Sequence, residues 1–447
     1  VKAMDRNKIC FMCCTVVIWI FALAVLPAPG EDLYVDPVNG SDGNSGLSWP
    51  SALQTITGAA ELAGRTYPVI HLSEGVFSAQ SGEVFPLSFH YPARLFGVSP
   101  ETTIIDVGSS ATIMENLNWV GFPDYYDKCA LSNLSIRALG QPMGPGDEEA
   151  MLTLRAAGVE MESVHLLGLS SATRPILAVP YGHRLVMTDC RLIDCDAEWL
   201  RGLPSDDKRS LASLTITRCV FDGRFPLKET TCVDVGHADI YDCRFIGAGA
   251  DSGIGIYTER WYYIIILNCS FENFHIEFCV GCQHHEAEIA GCSFRNSRAY
   301  NFGSPVWYSG CVFDESCEFY VDTAVIMKFS CLAAMVIETT SGHVNYGGVN
   351  IAAHDPMFVA GPLGGCYLPN QASGQACSSP CLSFGHPVYQ PGWWPPEGST
   401  TRTDGVPDEY PYDLGYHYPS LPPPLPSVSI RTDRAEYAAG GGDAGVY

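Results

Sequence analysis

The chain has 447 residues, 47% of them apolar, with 49 Asp and Glu against 25 Lys and Arg and a net charge of −24. A sizeable core is within reach and wholesale disorder is excluded. So acidic a chain has little with which to neutralise phosphates, which counts against a nucleic-acid partner. It counts more weakly against a polyanionic glycan, unless bound cations bridge the like charges.

At the N-terminus, Lys2, Arg6 and Lys8 precede an uninterrupted apolar run at 16–26. That run is short for a membrane span, which needs ~20 residues. With Ala28 and Gly30 at the small-residue positions before a cut, residues 1–30 read as a secretory signal peptide. An uncleaved anchor helix is the alternative. Removing residues 1–30 takes away three bases and one acid, so the charge falls to −26. No second apolar span follows, so the mature chain is expected outside the cell or at its surface, as a monomer without a membrane span.

The stretch "YVDPVNGSDGNSGLSWPSALQTITGAAELA" occupies 34–63. Asp42, Asn44 and Gly46 alternate as calcium ligands do, but position 53, where an EF-hand loop places its bidentate Glu, is Leu53. Calcium is the one cofactor left open, and none is required. The mechanical reading is stronger. Leu53, Ile56, Ala60 and Ala63 recur near helical spacing. Residues 50–63 are therefore expected as an amphipathic helix that plugs the base of a stack, with 36–46 as the turn that delivers it.

A repeat follows. Cys190, Cys219, Cys243, Cys269, Cys292, Cys311 and Cys331 are 29, 24, 26, 23, 19 and 20 residues apart. Five of them carry Phe two residues later; Leu192 takes that slot in the first copy and Ala333 in the last. Leu134 with Ile136, and Val164 with Leu166, extend the pattern upstream. A period of this length with a short strand per copy means stacked coils. Residues two apart in a strand share a face, so Cys and Phe point inward together and stack like on like at ~4.8 Å per coil. Further strands are expected at "CVDVG" (232), "GIGIY" (253), "IEFCV" (276), "AYNFG" (299) and "EFYVD" (318). The expected fold is all-β: a right-handed, single-stranded parallel β-helix with a short N-terminal capping helix. Nine copies would give a rod about 40 Å long.

Sixteen cysteines lie beyond residue 30, and export favours disulfides. In-register column neighbours, however, have Cβ atoms ~4.8 Å apart, beyond the ~3.8 Å of a bridge. The column is read as buried small hydrophobes. Of Cys366, Cys377 and Cys381, two could pair: Cys366 with Cys377 or Cys381.

Beyond 350 the chain is irregular and rich in Pro, Gly and aromatics, a segment that can cover the open end of the stack. The expected division is 1–30 signal peptide, 31–115 N-terminal cap and first coils, 116–350 repeats and 351–418 C-terminal cap. Residues 419–447 form a Pro-rich linker and the truncated start of a further domain.

Tyr34, Val35, Gly40, Ser41, Asp42, Gly46, Pro50, Thr55, Ile56, Ala59, Ala60, Gly75 and Phe77 together resemble the opening of the DUF1565 family, within the pectin-lyase-like parallel β-helix superfamily. "DPMF…GPLG…YL…SPCL…G" resembles the end segment of secreted bacterial β-helix proteins of the choice-of-anchor type. That pattern usually has Asp-Ala-Gly where this chain has Ser383, Phe384 and Gly385. The resemblance implies a fold, an extracellular address and a cap. It implies no single activity.

A polysaccharide lyase of this fold needs a base, often Lys or Arg, and usually calcium. A hydrolase needs two carboxylates ~5–10 Å apart. The loops between strands of successive coils hold His237, then Glu259 and Arg260, then His284, His285 and Glu286. Glu259, Arg260, His285 and Glu286 are the catalytic candidates. Asp234, His237, Asp239, Trp261 and His284 are the candidates for binding a sugar. An ordinary polar loop face accounts for the same residues. Cys279 and Cys282, with two His beyond, make half a zinc pattern, and no metal site is assigned. Trp261, Tyr262, Tyr263, Trp307, Tyr308, Trp393 and Trp394 could stack on sugars or pack in the core and cap. The expected function is a carbohydrate-binding or structural surface module, with a polysaccharide or cell-surface glycan as partner. The alternatives are a polysaccharide lyase or glycoside hydrolase, and an adhesin or scaffold fragment of a longer surface protein.

Overall fold

The computed structural model describes residues 29–419. Within that range 65, 109–111, 117–127, 139–149, 155, 157, 172–174, 181–183, 198, 204–212, 226–232, 235–236, 249–251, 259–263, 281–286, 303–304, 323, 334–335, 340–341, 347–349, 353, 385–397 and 409–411 are not described. The fold is an all-β parallel β-helix whose coils have three faces. Face one runs through twelve successive parallel pairings, from Pro29–Val35 to His343–Tyr346. At ~4.8 Å per rung this is roughly 58 Å of stack. It is longer than the repeat implies, because the first coils lack the column cysteine that marks the repeat, and their Phe column runs through Phe77, Ile105, Ile136 and Leu166.

Face two follows face one after a sharp corner. The corner residue is left-handed: φ is +54 at Asp189, +52 at Arg218, +55 at Asp242 and +49 at Asn268, and Gly291 and Gly310 continue the series. Asp and Asn tolerate this region better than most side chains. The next residue is the column cysteine, fully buried at 190, 219, 243, 269, 292 and 311. Two residues on, Phe221, Phe245, Phe271, Phe294 and Phe313 stack with centroids 4.9, 4.9, 4.8 and 4.7 Å apart. Each such ring contributes about 1.5–3 kcal/mol by burial and each stacked pair about 0.5–1.5 more. Face three carries the strands expected near 232, 253, 276, 299 and 318, paired in one parallel sheet with Val336–Thr339.

The last copy of the repeat departs from expectation. Cys331 pairs with Val312 and Leu332 with Phe313, so Leu332, not Ala333, ends the Phe ladder. Ser330 takes the cysteine slot: its hydroxyl accepts the Cys311 N–H at 3.3 Å, as the Cys243 thiol accepts the Cys219 N–H at 3.4 Å. The reason lies on face one. The slot falls three residues after the last inward side chain, as in Ile216 to Cys219, Ile240 to Cys243 and Tyr308 to Cys311. Met327, buried on the same inward side, sets it at 330.

At the base, the helix is shorter than expected, Ile56–Ala63. Trp49–Ser51 is a separate 3-10 turn, and Leu53 sits in a bridge with Val35. The bridge of Leu53 and the extended backbone of Thr55 keep the helix from starting earlier, and Asp42 accepts the N–H groups of Gln54 and Thr55, both at 2.9 Å, just ahead of the first turn. Leu53, Ile56, Ala59 and Ala60 are buried in the main core, as a plug requires.

The C-terminal segment does not run across an end of the stack in its described contacts. It straps the flank of face two. Gly415 N donates to Gly310 O, Tyr416 N to Ser293 Oγ and His417 N to Asn268 Oδ1. These contacts lead back toward the middle of the stack at one strap residue per coil. Gly365 lies so close that a Cβ there would strike Arg295 Nη1 and come within 2.5 Å of Glu272 Oε2. Its N–H donates to Glu272 at 2.9 Å and its carbonyl accepts from Arg295 at 3.2 Å. The expected partners Cys366 and Cys381 fall into different apolar clusters, Cys366 with Tyr367, Tyr416 and Tyr418, and Cys381 with Val312, Cys331, Leu368 and Leu414. Cys377 is exposed.

Candidate functional site

Face-one strands alternate inward and outward side chains, and parallel register turns the outward ones into ladders. One ladder reads Thr215, Asp239, Ile265, Glu288, Trp307, Ile326, Asn345. Its neighbour reads Thr217, Tyr241, Leu267, Ala290, Ser309, Lys328. The strand Ala238–Tyr241 buries Ala238 and Ile240, and so presents Asp239 and Tyr241 on the other side.

There the polar groups converge. His237 Nε2 lies 2.8 Å from Asp239 Oδ2, and Tyr241 donates its hydroxyl to Asp239 Oδ1 at 2.9 Å. His237 is 35% exposed and Asp239 21%, so the cluster is fixed yet open to solvent. A carboxylate only accepts, so the neutral imidazole places its hydrogen on Nε2 and leaves Nδ1 as a lone-pair acceptor. Burial, and then the bond to Asp239, pushes the Tyr241 phenol well above its ordinary pKa, which keeps it a donor.

Glu288 stands two rungs from Asp239, about 10 Å along the backbone ladder, and Trp307 one rung further. Lys328 Nζ sits 4.3 Å from the centroid of the Trp307 ring. The Trp307 Nε1–H is shielded from solvent and meets no acceptor among the described residues.

Of the residues the sequence singles out, the structure brings His237 and Asp239 together. Asp234 falls in the face-three strand Val233–Asp234, opposite Tyr257 and on a different face from Asp239. Glu259, Arg260, Trp261, His284, His285 and Glu286 lie outside the described residues, as do Cys282, Tyr262, Tyr263, Trp393 and Trp394. Sequence reading passed over Tyr241, Glu288 and Lys328. Strict alternation in "HADIYD" and "AEIA" marks Tyr241 and Glu288 as outward, once the loops are no longer taken as the only place to look.

Among the described residues no group of three or more His, Cys, Asp or Glu is arranged to hold a metal. No described helix is long and apolar enough to cross a membrane, and the run at 16–26 is outside the described residues. In the calcium-like stretch the Asp42 carboxylate is engaged within the fold: it accepts from two backbone N–H groups and, at 2.8 Å, from the Thr55 hydroxyl.

Residues 38–112 match the family described as "Protein of unknown function (DUF1565)". The match covers the turn, the plug and the first coils. Among solved structures, the selenomethionine derivative of the GH136 lacto-N-biosidase from Eubacterium ramulus is 8% identical, with a TM-score of 0.33 over 70% of this chain and 68% of that one. The native form of that enzyme is also 8% identical, with a TM-score of 0.31 over 72% and 68%. No curated protein matches.

Proposed function

We propose that the outer side of face one binds carbohydrate, and that the protein is an exported or surface-displayed glycan-binding module acting as a monomer. The cluster of His237, Asp239 and Tyr241 carries this reading. Sugar hydroxyls donate, and the cluster offers two kinds of acceptor at fixed positions, the imidazole Nδ1 and the carboxylate lone pairs. Trp307, on the same ladder, adds a flat apolar ring.

Affinity electrophoresis through gels of neutral and acidic polysaccharides tests it. The wild-type chain should be retarded by at least one glycan. Asp239→Ala and Trp307→Ala should each weaken that binding about tenfold or more, a loss of about 1.4 kcal/mol. Unretarded migration in every gel, or variants that bind like wild type, would refute it. A second reading, glycoside hydrolysis, is favoured by one observation: Asp239 and Glu288 are two carboxylates on one ladder. Their spacing of about 10 Å along the backbone is near the ~6.5–9.5 Å of inverting enzymes. New reducing ends that vanish in Glu288→Gln would establish it. Unsaturated products that depend on calcium would instead favour a lyase centred on the undescribed loop with Glu259 and Arg260.

A further inference from the structure

The column cysteines share one task. The thiols of Cys219, Cys243 and Cys292 accept the N–H of the cysteine one coil earlier, and the column thiols donate to nearby carbonyls, as Cys243 does to Tyr241 O at 3.1 Å. Cys331 has left that task to Ser330. Its place in the register, opposite Val312 and between the inward Ser330 and Leu332, makes it an outward residue of face two. It is nonetheless fully buried, because the strap lies over it. Cys381, also fully buried, comes down from the strap into the same small cluster with Val312, Leu368 and Leu414. The strap is held there by Leu414 N donating to Cys381 O at 3.0 Å and by Gly415 N donating to Gly310 O.

We propose that Cys331 and Cys381 form a disulfide that fastens the C-terminal strap to the side of the coil stack. Column cysteines stand side by side in parallel register, which holds their Cβ atoms ~4.8 Å apart. Cys331 and Cys381 come from two segments that are not paired as strands and meet in one buried cluster, so no register keeps them apart. Burial, and then contact with the Cys331 thiol, pushes the Cys381 thiol up. The pair therefore reacts during folding, before the strap closes over it. One thiolate attacks a disulfide donor such as oxidised glutathione and releases one reduced glutathione. The second thiolate attacks the mixed disulfide and releases another. The two cysteines lose two protons and two electrons, and the donor gains them.

The test is disulfide mapping of the full chain recovered from an oxidising compartment, alkylated in denaturant without reduction. Trypsin leaves both cysteines in one peptide, because no Lys or Arg lies between Lys328 and Arg402. Cleavage before Asp355 separates them. The expected result is two peptides joined through Cys331 and Cys381, two hydrogens lighter than their sum, which part on reduction. Alkylation of either residue before reduction, or recovery of Cys381 joined to Cys366 or Cys377, overturns the proposal. Reductant should also lower the melting temperature of the wild type by several degrees and leave a Cys331→Ser, Cys381→Ser double variant unmoved. An equal shift in both would place the effect elsewhere and overturn the stapling role.

Discussion

Asp42 and Glu83 hold the start of the N-terminal helix between them. Asp42 takes the N–H groups of Gln54 and Thr55, and Glu83 takes those of Ile56 and Thr57 at 2.7 and 3.0 Å. Thr55 caps Gly58 N at 2.8 Å. The first N–H groups of a helix have no partner within it, and its N-terminus favours negative charge. Two carboxylates there answer both needs. Glu83→Ala should cost about 1–3 kcal/mol, since it strands the buried Ile56 N–H, and Asp42→Ala about 0.5–2 kcal/mol, as for a lost cap, since its donors stay partly open to water; denaturant unfolding measures this. Wild-type stability in either variant would show that the plug does not depend on these caps. The acidic, calcium-like look of 36–46 thus has a structural origin, and Glu83, far from it in sequence, carries no local signal of its part in it.

The coil corner is the element that repeats, and its chemistry is set by one position. A thiol or a hydroxyl fits there, because both accept the N–H of the coil before; Ser330 shows that the hydroxyl suffices. Cys243→Ser should therefore be nearly neutral, while Cys243→Ala should cost about 1–3 kcal/mol by stranding the Cys219 N–H. Thermal unfolding of the two variants side by side decides it, and equal losses would mean that only packing matters at this site. The Phe ladder and the face-three strands were legible as spacing, because identical residues recur wherever identical coils stack. The slip at Cys331 was hidden by the cysteine itself. Counting from the inward Val325 and Met327 would have placed the corner correctly. The same alternation, applied to outward residues, would have found Tyr241 and Glu288.

Across the molecule, the strap ties distant sequence to the coil flank, and its hold is pH-dependent. His417 Nδ1 donates to Gly415 O at 2.8 Å and turns Nε2 toward Asp408 Oδ2 at 3.3 Å. Burial, and then Asp413, pushes Asp408 up to about 7. Burial pushes His417 down to about 4 and raises Asp413. Thr400, Thr401 and Arg402 complete the surroundings. A carboxyl raised on folding contributes stability that is present below its unfolded pKa and lost as pH rises through its folded one. His417 acts in the opposite sense, losing stability as pH falls from about 6.5 through about 4. The two offset each other in that range, and above it the carboxyls act alone. The strap should loosen between about pH 6.5 and 8. Hydrogen exchange over 399–418, corrected for the intrinsic rate, should speed up across that range and flatten in Asp408→Asn; an unchanged profile in the variant would remove the role of Asp408. By itself the sequence determined the stacked-coil fold, the plug and the Cys and Phe ladders, because periodic side chains must bury periodically. Only the tertiary structure decided that the C-terminal segment is a flank strap, that Cys331 meets Cys381, and that His237, Asp239 and Tyr241 share one open face with Glu288 and Trp307. Those contacts join residues whose spacing carries no period, so only register and the folded path of the chain bring them together.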